Sequence, residues 1–464
     1  ASYGDKEPFV LDAREIRGIK SNGMLAAADE LALGTDHNGI IELTDNDLPP
    51  KSKIKNLKSG LDFAEVFGLD DTVLDIENKM FTHRPDCFGQ LGVAREIAGI
   101  LGHKFTSPDW YLNVPEFKTA EGLELKVTNE ATEKVPRFMA VAVKDVTIQP
   151  SPFWLQCELV RIGSKPINNI VDITNYVMLL TAQPLHAYDY DKLAGHTLGV
   201  RMARDGEKLP LLNGKTYEVS ADDIVIVDGE KPIGMGGIMG GGNSEVSAGT
   251  KNIVLECATF DMYAIRKTSM RHGLFTDAVT RFNKGQSPLQ NDRALSVAML
   301  NMFDVAGGAQ ASKVFDESAA NQNPTDVQIN SEFINARLGS KLTNNEIATL
   351  LGNVEIKTDM GDNLNVHVPF WRTDIEQPED VVEEVGRLYG FDKLPLELPT
   401  RSLKPAAKNA KREVAHKIRE SLSKAGANEV LTYSFVHKNV MERAGQDVAQ
   451  AFQLSNALSP DLQY

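Results

Sequence analysis

The chain is poor in cysteine, in basic charge and in long apolar runs. Its three cysteines, Cys87, Cys157 and Cys257, form no CxxC pair and no zinc spacing. That excludes a disulfide framework and favours a reduced, cytoplasmic setting. No apolar run approaches the roughly 20 residues that span a bilayer, and the opening ASYGDKEPFVLDAREIRG lacks a signal-peptide layout. Lys and Arg number 49 against 64 Asp and Glu, leaving a net charge of −15. Such a balance excludes a protein coated in basic surface, so any contact with RNA needs a local patch or a partner subunit. The glycine run at 234–242 lacks the Gly-Lys-Ser/Thr ending of a phosphate loop, and Met239 breaks a Gly-x-Gly-x-x-Gly reading. A Gly-x-Ser-x-Gly elbow is also missing.

What is present concentrates between Pro166 and Gln286. Ile170, Val171 and Ile173 run into Thr174, Asn175 and Tyr176, and Pro184 and His186 follow; this predicts a strand or helix edge delivering polar side chains to a cavity. Gly234, Gly236, Gly237, Gly240, Gly241 and Gly242 let backbone approach a ligand or another strand closely. Ile253-Val254-Leu255 predicts a buried strand ending in Glu256, a carboxylate that must find a partner or serve a ligand. An arginine partner is one reading, a bound hydroxyl the other.

Four segments, NNIVDITNYVMLLTAQPLHAYD, MGGIMGG, LECATFD and TDAVTRFNKG, resemble in order and spacing the editing module of the bacterial phenylalanyl-tRNA synthetase β-subunit family. The resemblance implies hydrolysis of tyrosine wrongly attached to tRNA(Phe). It also implies a pocket lined by Thr174, Asn175, His186, Gly240, Glu256, Thr276 and Ala278, with Glu256 accepting the tyrosine hydroxyl and His186 orienting the terminal ribose or the attacking water. The chain departs from the pattern at Lys165, where arginine is expected, and at Asn283 and Ser287, which replace acidic residues. Such a module has a physical rationale. An apolar pocket rejects an added hydroxyl by only about 10²-fold, whereas a site built to bond that hydroxyl discriminates by roughly 10⁴–10⁵.

The expected fold is a multidomain α+β chain. Residues 1–50 resemble the end of an oligonucleotide-binding (OB) fold, carried by SNGML and DHNGIIEL. Residues 51–115 resemble a small α+β domain, with a strand over Val73–Ile76, a turn at Arg84–Cys87 and a helix from Leu91 to Leu101 that buries Leu91, Ala94, Ile97, Ala98 and Leu101. Residues 116–323 form the α/β editing domain, in which Ser151 caps a helix begun by Pro152. Residues 325–398 resemble a winged-helix-like domain, and 399–464 the start of an inactive synthetase-like antiparallel α+β domain.

Two further elements invite function. In DIEQPEDVVEEVGRLYG, the acidic side chains Asp374, Asp380, Glu383 and Glu384 resemble the family's Mg²⁺ ligands near the α-subunit contact, oxygen donors being what that hard cation prefers. The helix dipole and a Glu383–Arg387 pair explain the same residues without a metal. Lys404–Lys424, with Val414, Ile418 and Leu422 four apart, predicts an amphipathic basic helix that is either an RNA contact or a solvated face. The resemblance implies an α partner that carries aminoacylation and uses ATP, an α₂β₂ assembly, and tRNA(Phe) as substrate. The alternative is an assembly and tRNA-binding scaffold whose editing pocket is inactive.

Overall fold

The structure is a computed structural model that describes residues 11–34, 37–50, 52–319, 326–361, 363–398 and 400–464. It divides into two compact units, one ending at Pro395 and the other beginning at Leu396.

The first unit is organised around the strand Ile253–Thr259. It pairs antiparallel with Arg137–Lys144 on one side and His186–Asp189 on the other. Arg137–Lys144 also pairs with Ala309–Gln310 and Phe315–Ser318, completing a five-stranded sheet. Side chains alternate between the two faces of a strand, and here both faces are covered. Met139, Val141, Val143, Ile253, Leu255 and Cys257 pack against the helices Phe153–Arg161, Asn169–Thr181 and Asn291–Ala306. The alternate residues Phe138, Ala140, Ala142, Val254 and Ala258 face a second core, shared with the other sheet. Double coverage is why IVLECAT reads as an unbroken buried run.

The second sheet runs in the order Lys126–Asn129, Thr197–Met202, Ile224–Val227, Pro232–Met235, Met239–Gly240. The last two strands form a hairpin whose turn needs glycine. Gly237 has φ +68°, and a Cβ there would stand 2.7 Å from Ile265 Cδ1.

Of the strand or helix expected over Ile170–Thr174, the structure shows the helix Asn169–Thr181, whose start is fixed by the Asn168 side chain accepting from the Ile170 and Val171 amides at 3.1 and 3.0 Å. Other sequence expectations change. Ser151 does not cap its helix. Its hydroxyl donates to buried Asp172 at 2.5 Å, while Asp47, from the amino-terminal segment, accepts from the Phe153 amide at 2.8 Å. Val73–Ile76 forms no strand, and Val73, Leu74 and Ile76 are exposed, since no partner strand lies beside them among the described residues. Residues 52–115 accordingly hold helices and turns and no strand. The helix Gln90–Ile100 buries Arg95, Glu96 and Gly99 with Leu91, and leaves Ile97 and Leu101 exposed.

Of the stretch expected to be an OB-fold remnant, residues 1–10 and 35–36 lie outside the described residues; the rest shows a hairpin, Arg14–Ile16 with Ile19–Ser21, and short turns. Residues 326–395 combine a three-stranded antiparallel sheet with the helices Ser331–Leu338, Asn344–Asn353 and Pro378–Tyr389 around one core. In the second unit the helix Ala410–Lys424 leaves Val414, Ile418 and Leu422 half-exposed, and no strand forms among its described residues. Backbone bonds between Val436 and Tyr464 close its end on itself.

Candidate functional site

The two sheets enclose a small cavity lined by Glu256, His186, Tyr188, Gly240, Ala278 and Phe282, among others. Strand pairing places Glu256 directly opposite His186. Tyr188, two residues on, shares the face of His186, and the two rings meet edge to face with centroids 4.6 Å apart. The Tyr188 hydroxyl donates to Glu256 Oε2 at 2.8 Å. Glu256 thus has a phenol for a partner, not an arginine, and it stands in mid-strand, not at a strand end. The hairpin supplies Gly240, whose missing side chain makes room for the imidazole: a Cβ would lie 2.6 Å from both Cε1 and Nε2 of His186.

Burial sets the electrostatics. The Glu256 carboxyl is pushed up to about 7 because its charged form has lost water, and the Tyr188 hydrogen bond offsets this only in part. Burial depresses His186 to about 4, leaving a neutral imidazole at physiological pH. A base that weak suits binding and orientation better than proton abstraction near neutral pH. The cavity measures about 70 Å³, room for a few waters and far below the roughly 300–1,000 Å³ of a ligand pocket. An aromatic guest requires wall side chains to yield. Met239, half-buried and flexible, is best suited to do so.

The remaining sequence-predicted residues scatter. Ala278 lines the cavity, whereas Thr276 stands behind it, donating to Ile238 O at 2.9 Å and capping the helix Asp277–Phe282 through the Val279 amide. Thr174 and Asn175 do not line it; Thr174 is buried in its helix with its hydroxyl bonded back to Val171 O at 2.7 Å. Lys165 is exposed, and Ser287 ties its turn to Phe370 O at 2.5 Å. Tyr188, Phe260 and Phe282 were missed. Period-two alternation from His186 was the available signal for Tyr188.

Asp374, Glu383 and Glu384 come together around basic side chains: Asp374 and Glu384 share Arg372, and His83 lies 3.7 Å from Asp374 and 3.5 Å from Glu383, while Asp380 turns to backbone amides. Asp374 is forked by Arg372 at 2.7 and 2.6 Å. Glu384, fully buried, takes Arg372 at 2.9 and 2.8 Å and Arg387 at 2.6 Å. Burial raises the Glu384 carboxyl, yet Arg372 and Arg84 together outweigh it and hold the group below its ordinary value. Asp380 accepts from the Glu376 and Gln377 amides at 2.8 and 2.9 Å. Glu383 lies 3.5 Å from His83, and Arg387 pairs with Glu96 and Glu384 in its place. Among the described residues no group of His, Cys, Asp and Glu is placed to hold a metal. Asp374 and Glu384, held by guanidinium groups, and Asp380, held by two amides, do not fit Mg²⁺, which would have to share Asp374 and Glu384 with buried cations. Glu383, half-buried beside His83, is not held in this way.

A larger cleft of about 1040 Å³, bordered by Arg137, Arg293, Glu355, His367 and Trp371, contains none of the predicted site residues. No helix among the described residues is long and apolar enough to cross a membrane.

Comparison with known proteins accounts for this layout. Residues 134–307 match the model of the B3/4 domain, 327–391 that of the tRNA synthetase B5 domain, and 394–464 that of the phenylalanyl tRNA synthetase beta chain CLM domain. The phenylalanine--tRNA ligase beta subunit of Anaeromyxobacter dehalogenans (strain 2CP-C) is 35% identical over 451 residues, covering 97% of this chain and 55% of that one. The Geobacillus kaustophilus (strain HTA426) subunit is 34% identical over 459 residues, covering 98% and 56%. A solved N-terminal fragment of the Pyrococcus horikoshii phenylalanyl-tRNA synthetase beta subunit is 17% identical, with a TM-score of 0.34 over 66% of this chain and 84% of that one, a likeness too low to carry an argument. The chain spans about half the length of the curated relatives it matches. With three family domains in order and a third of its residues identical across nearly its whole length, the chain belongs to the bacterial phenylalanine--tRNA ligase β-subunit family.

Proposed function

We propose that this chain serves phenylalanine--tRNA ligase as part of its β subunit and that the Glu256 pocket hydrolyses tyrosine from mischarged tRNA(Phe). The observation that carries the reading is the Tyr188–Glu256 bond: a lone carboxylate in an apolar cavity already accepts a phenolic hydroxyl at 2.8 Å. A tyrosyl side chain offers the same group and a phenylalanyl side chain does not. A buried acceptor left unpaired by phenylalanine supplies discrimination that an apolar pocket lacks. Neutral His186, at the cavity wall beside Gly240, orients the attacking water or the ribose. Water is the nucleophile, because no serine or cysteine lines the cavity. Aminoacylation, with its ATP, belongs to the α partner in an α₂β₂ assembly. The B5 and CLM regions serve that assembly.

A second reading, a scaffold with a silent pocket, draws on the small volume of about 70 Å³ and on the weak basicity of His186. Release of labelled tyrosine and phenylalanine from tRNA(Phe) by this chain together with an α subunit separates the two. Preferential release of tyrosine that Glu256→Gln reduces supports editing. Release no faster than from charged tRNA(Phe) alone favours the scaffold, and a tyrosine preference indifferent to Glu256→Gln overturns the role given to Glu256.

A further inference from the structure

Tyr188 is the one pocket residue whose polar atom touches Glu256. Its ring is buried in the core between the two sheets, and its hydroxyl bonds Oε2 at 2.8 Å. Among the described residues Oε1 of Glu256 takes no hydrogen bond from the protein, although the side chain lines the cavity. A carboxylate has about four acceptor positions, so a phenol on one oxygen leaves the other free. Glutamate is also a long side chain. In an apolar enclosure only a directional bond fixes which way its carboxylate plane faces.

We propose that Tyr188 is a positioning and specificity-determining residue of this pocket, holding Glu256 by Oε2 so that Oε1 meets the hydroxyl of a para-hydroxyphenyl side chain. This rests on the reading of the cavity as a tyrosine site. The bound phenol also keeps the carboxylate an acceptor, because its bond favours the ionised form against burial. The groups facing Glu256 leave this task to Tyr188 alone. His186, opposite on one neighbouring strand, is neutral, and Ala140, opposite on the other, carries no charge. The hairpin presents Met239 and Gly240, and the helical wall presents Ala278 and Phe282 with Phe260. Cys257, next in the chain, belongs to the core on the other face and is held protonated by burial. Without the Tyr188 hydroxyl, Glu256 takes up a proton at higher pH and turns freely. A hydroxyl on the guest then gains less over plain phenyl.

The test uses the whole chain and its Tyr188→Phe variant, which keeps the ring and its packing. The Glu256 carboxyl carbon is titrated by ¹³C NMR, with Glu256→Gln identifying the signal, and free tyrosine and phenylalanine are titrated at pH 6 and pH 8. Expected is a Glu256 midpoint raised by roughly one pH unit or more in Tyr188→Phe, and a tyrosine-to-phenylalanine affinity ratio at pH 8 reduced roughly 10-fold. An unchanged midpoint and ratio, with tyrosine still preferred by the wild type, overturns the role of Tyr188 and leaves the tyrosine site standing. A raised midpoint in a protein that never prefers tyrosine overturns the specificity role together with the reading beneath it.

Discussion

Replacing Glu256 by glutamine removes a charge from the sheet interior while keeping the shape of the side chain and an oxygen for the Tyr188 hydroxyl. The folded carboxyl titrates at about 7 against an ordinary value of 4.5. Between these values the folded chain holds a proton that the unfolded chain has released, so stability falls as pH rises through that window. Above it the ionised group costs on the order of 3 kcal/mol, at about 1.4 kcal/mol per pH unit. Glu256→Gln is therefore expected to match the wild type near pH 4.5 and to exceed it by roughly 3 kcal/mol at pH 8. His186 works in the other direction. Its folded value of about 4 lies below 6.5, so its contribution is present above pH 6.5 and lost as pH falls toward 4. In the wild type the two slopes oppose each other between pH 4.5 and 6.5, and the variant uncovers the histidine slope. Urea melts followed by tryptophan fluorescence at several pH values measure both. A Glu256→Gln advantage independent of pH, or a deficit at pH 8, refutes the argument that the carboxylate is dehydrated and bonded only by Tyr188.

Gly240→Ala places a methyl 2.6 Å from the His186 ring. Displacement of the imidazole, seen as shifted ring resonances, and a loss of roughly 1–3 kcal/mol in urea melts are expected. Arg372→Met strips buried Glu384 and Asp374 of their fork, leaving Arg387 and Arg84 as partial compensation; the expected loss is about 3 kcal/mol, the lower end for a broken buried pair. Asp380→Ala removes the acceptor for two amides at a helix start and costs about 1 kcal/mol by thermal melting. Because Asp374 and Glu384 are held by Arg372, millimolar MgCl₂ is expected to leave the melting temperature of this chain unchanged; a rise lost in Asp380→Ala would place a metal there.

The chain disclosed its central strand because burial on both faces writes a local signature, the run Ile253–Leu255, and it disclosed Glu256 because a charge inside such a run is conspicuous. Gly240 and His186 were legible as candidates through the resemblance, but not their mutual contact, which depends on how a hairpin lies over a sheet. Strand and helix both stayed open around Thr174 because β-branched Ile170, Val171 and Ile173 suit either, and the deciding signal was the Asn168 cap just before them. The acidic segment was ambiguous for a different reason. Carboxylates in sequence look like a metal site until their cations are placed: Arg372 and Arg387 of the same stretch take Asp374 and Glu384, pairings that sequence spacing alone does not reveal, and Arg84, from far earlier in the chain, also reaches Glu384. The helix Gln90–Ile100 buries its polar stripe because Arg84 meets Glu96 and Glu355 meets Arg95 there.

The order of strands in the central sheet bears on how the protein is made. Tyr188 and Glu256 are separated by 68 residues, and Arg137–Lys144, the first of the sheet's strands to leave the ribosome, gains one edge only from Ile253–Thr259 and the other only from Ala309–Gln310 and Phe315–Ser318. Until the chain has been made as far as Ser318, well over a hundred residues later, this apolar strand has no complete set of neighbours, and such an open edge pairs with other nascent chains. Assembly of the sheet is a late, non-local event and accordingly slow. Fragments that stop short of Ser318 should clump during synthesis, whereas those that include it should not.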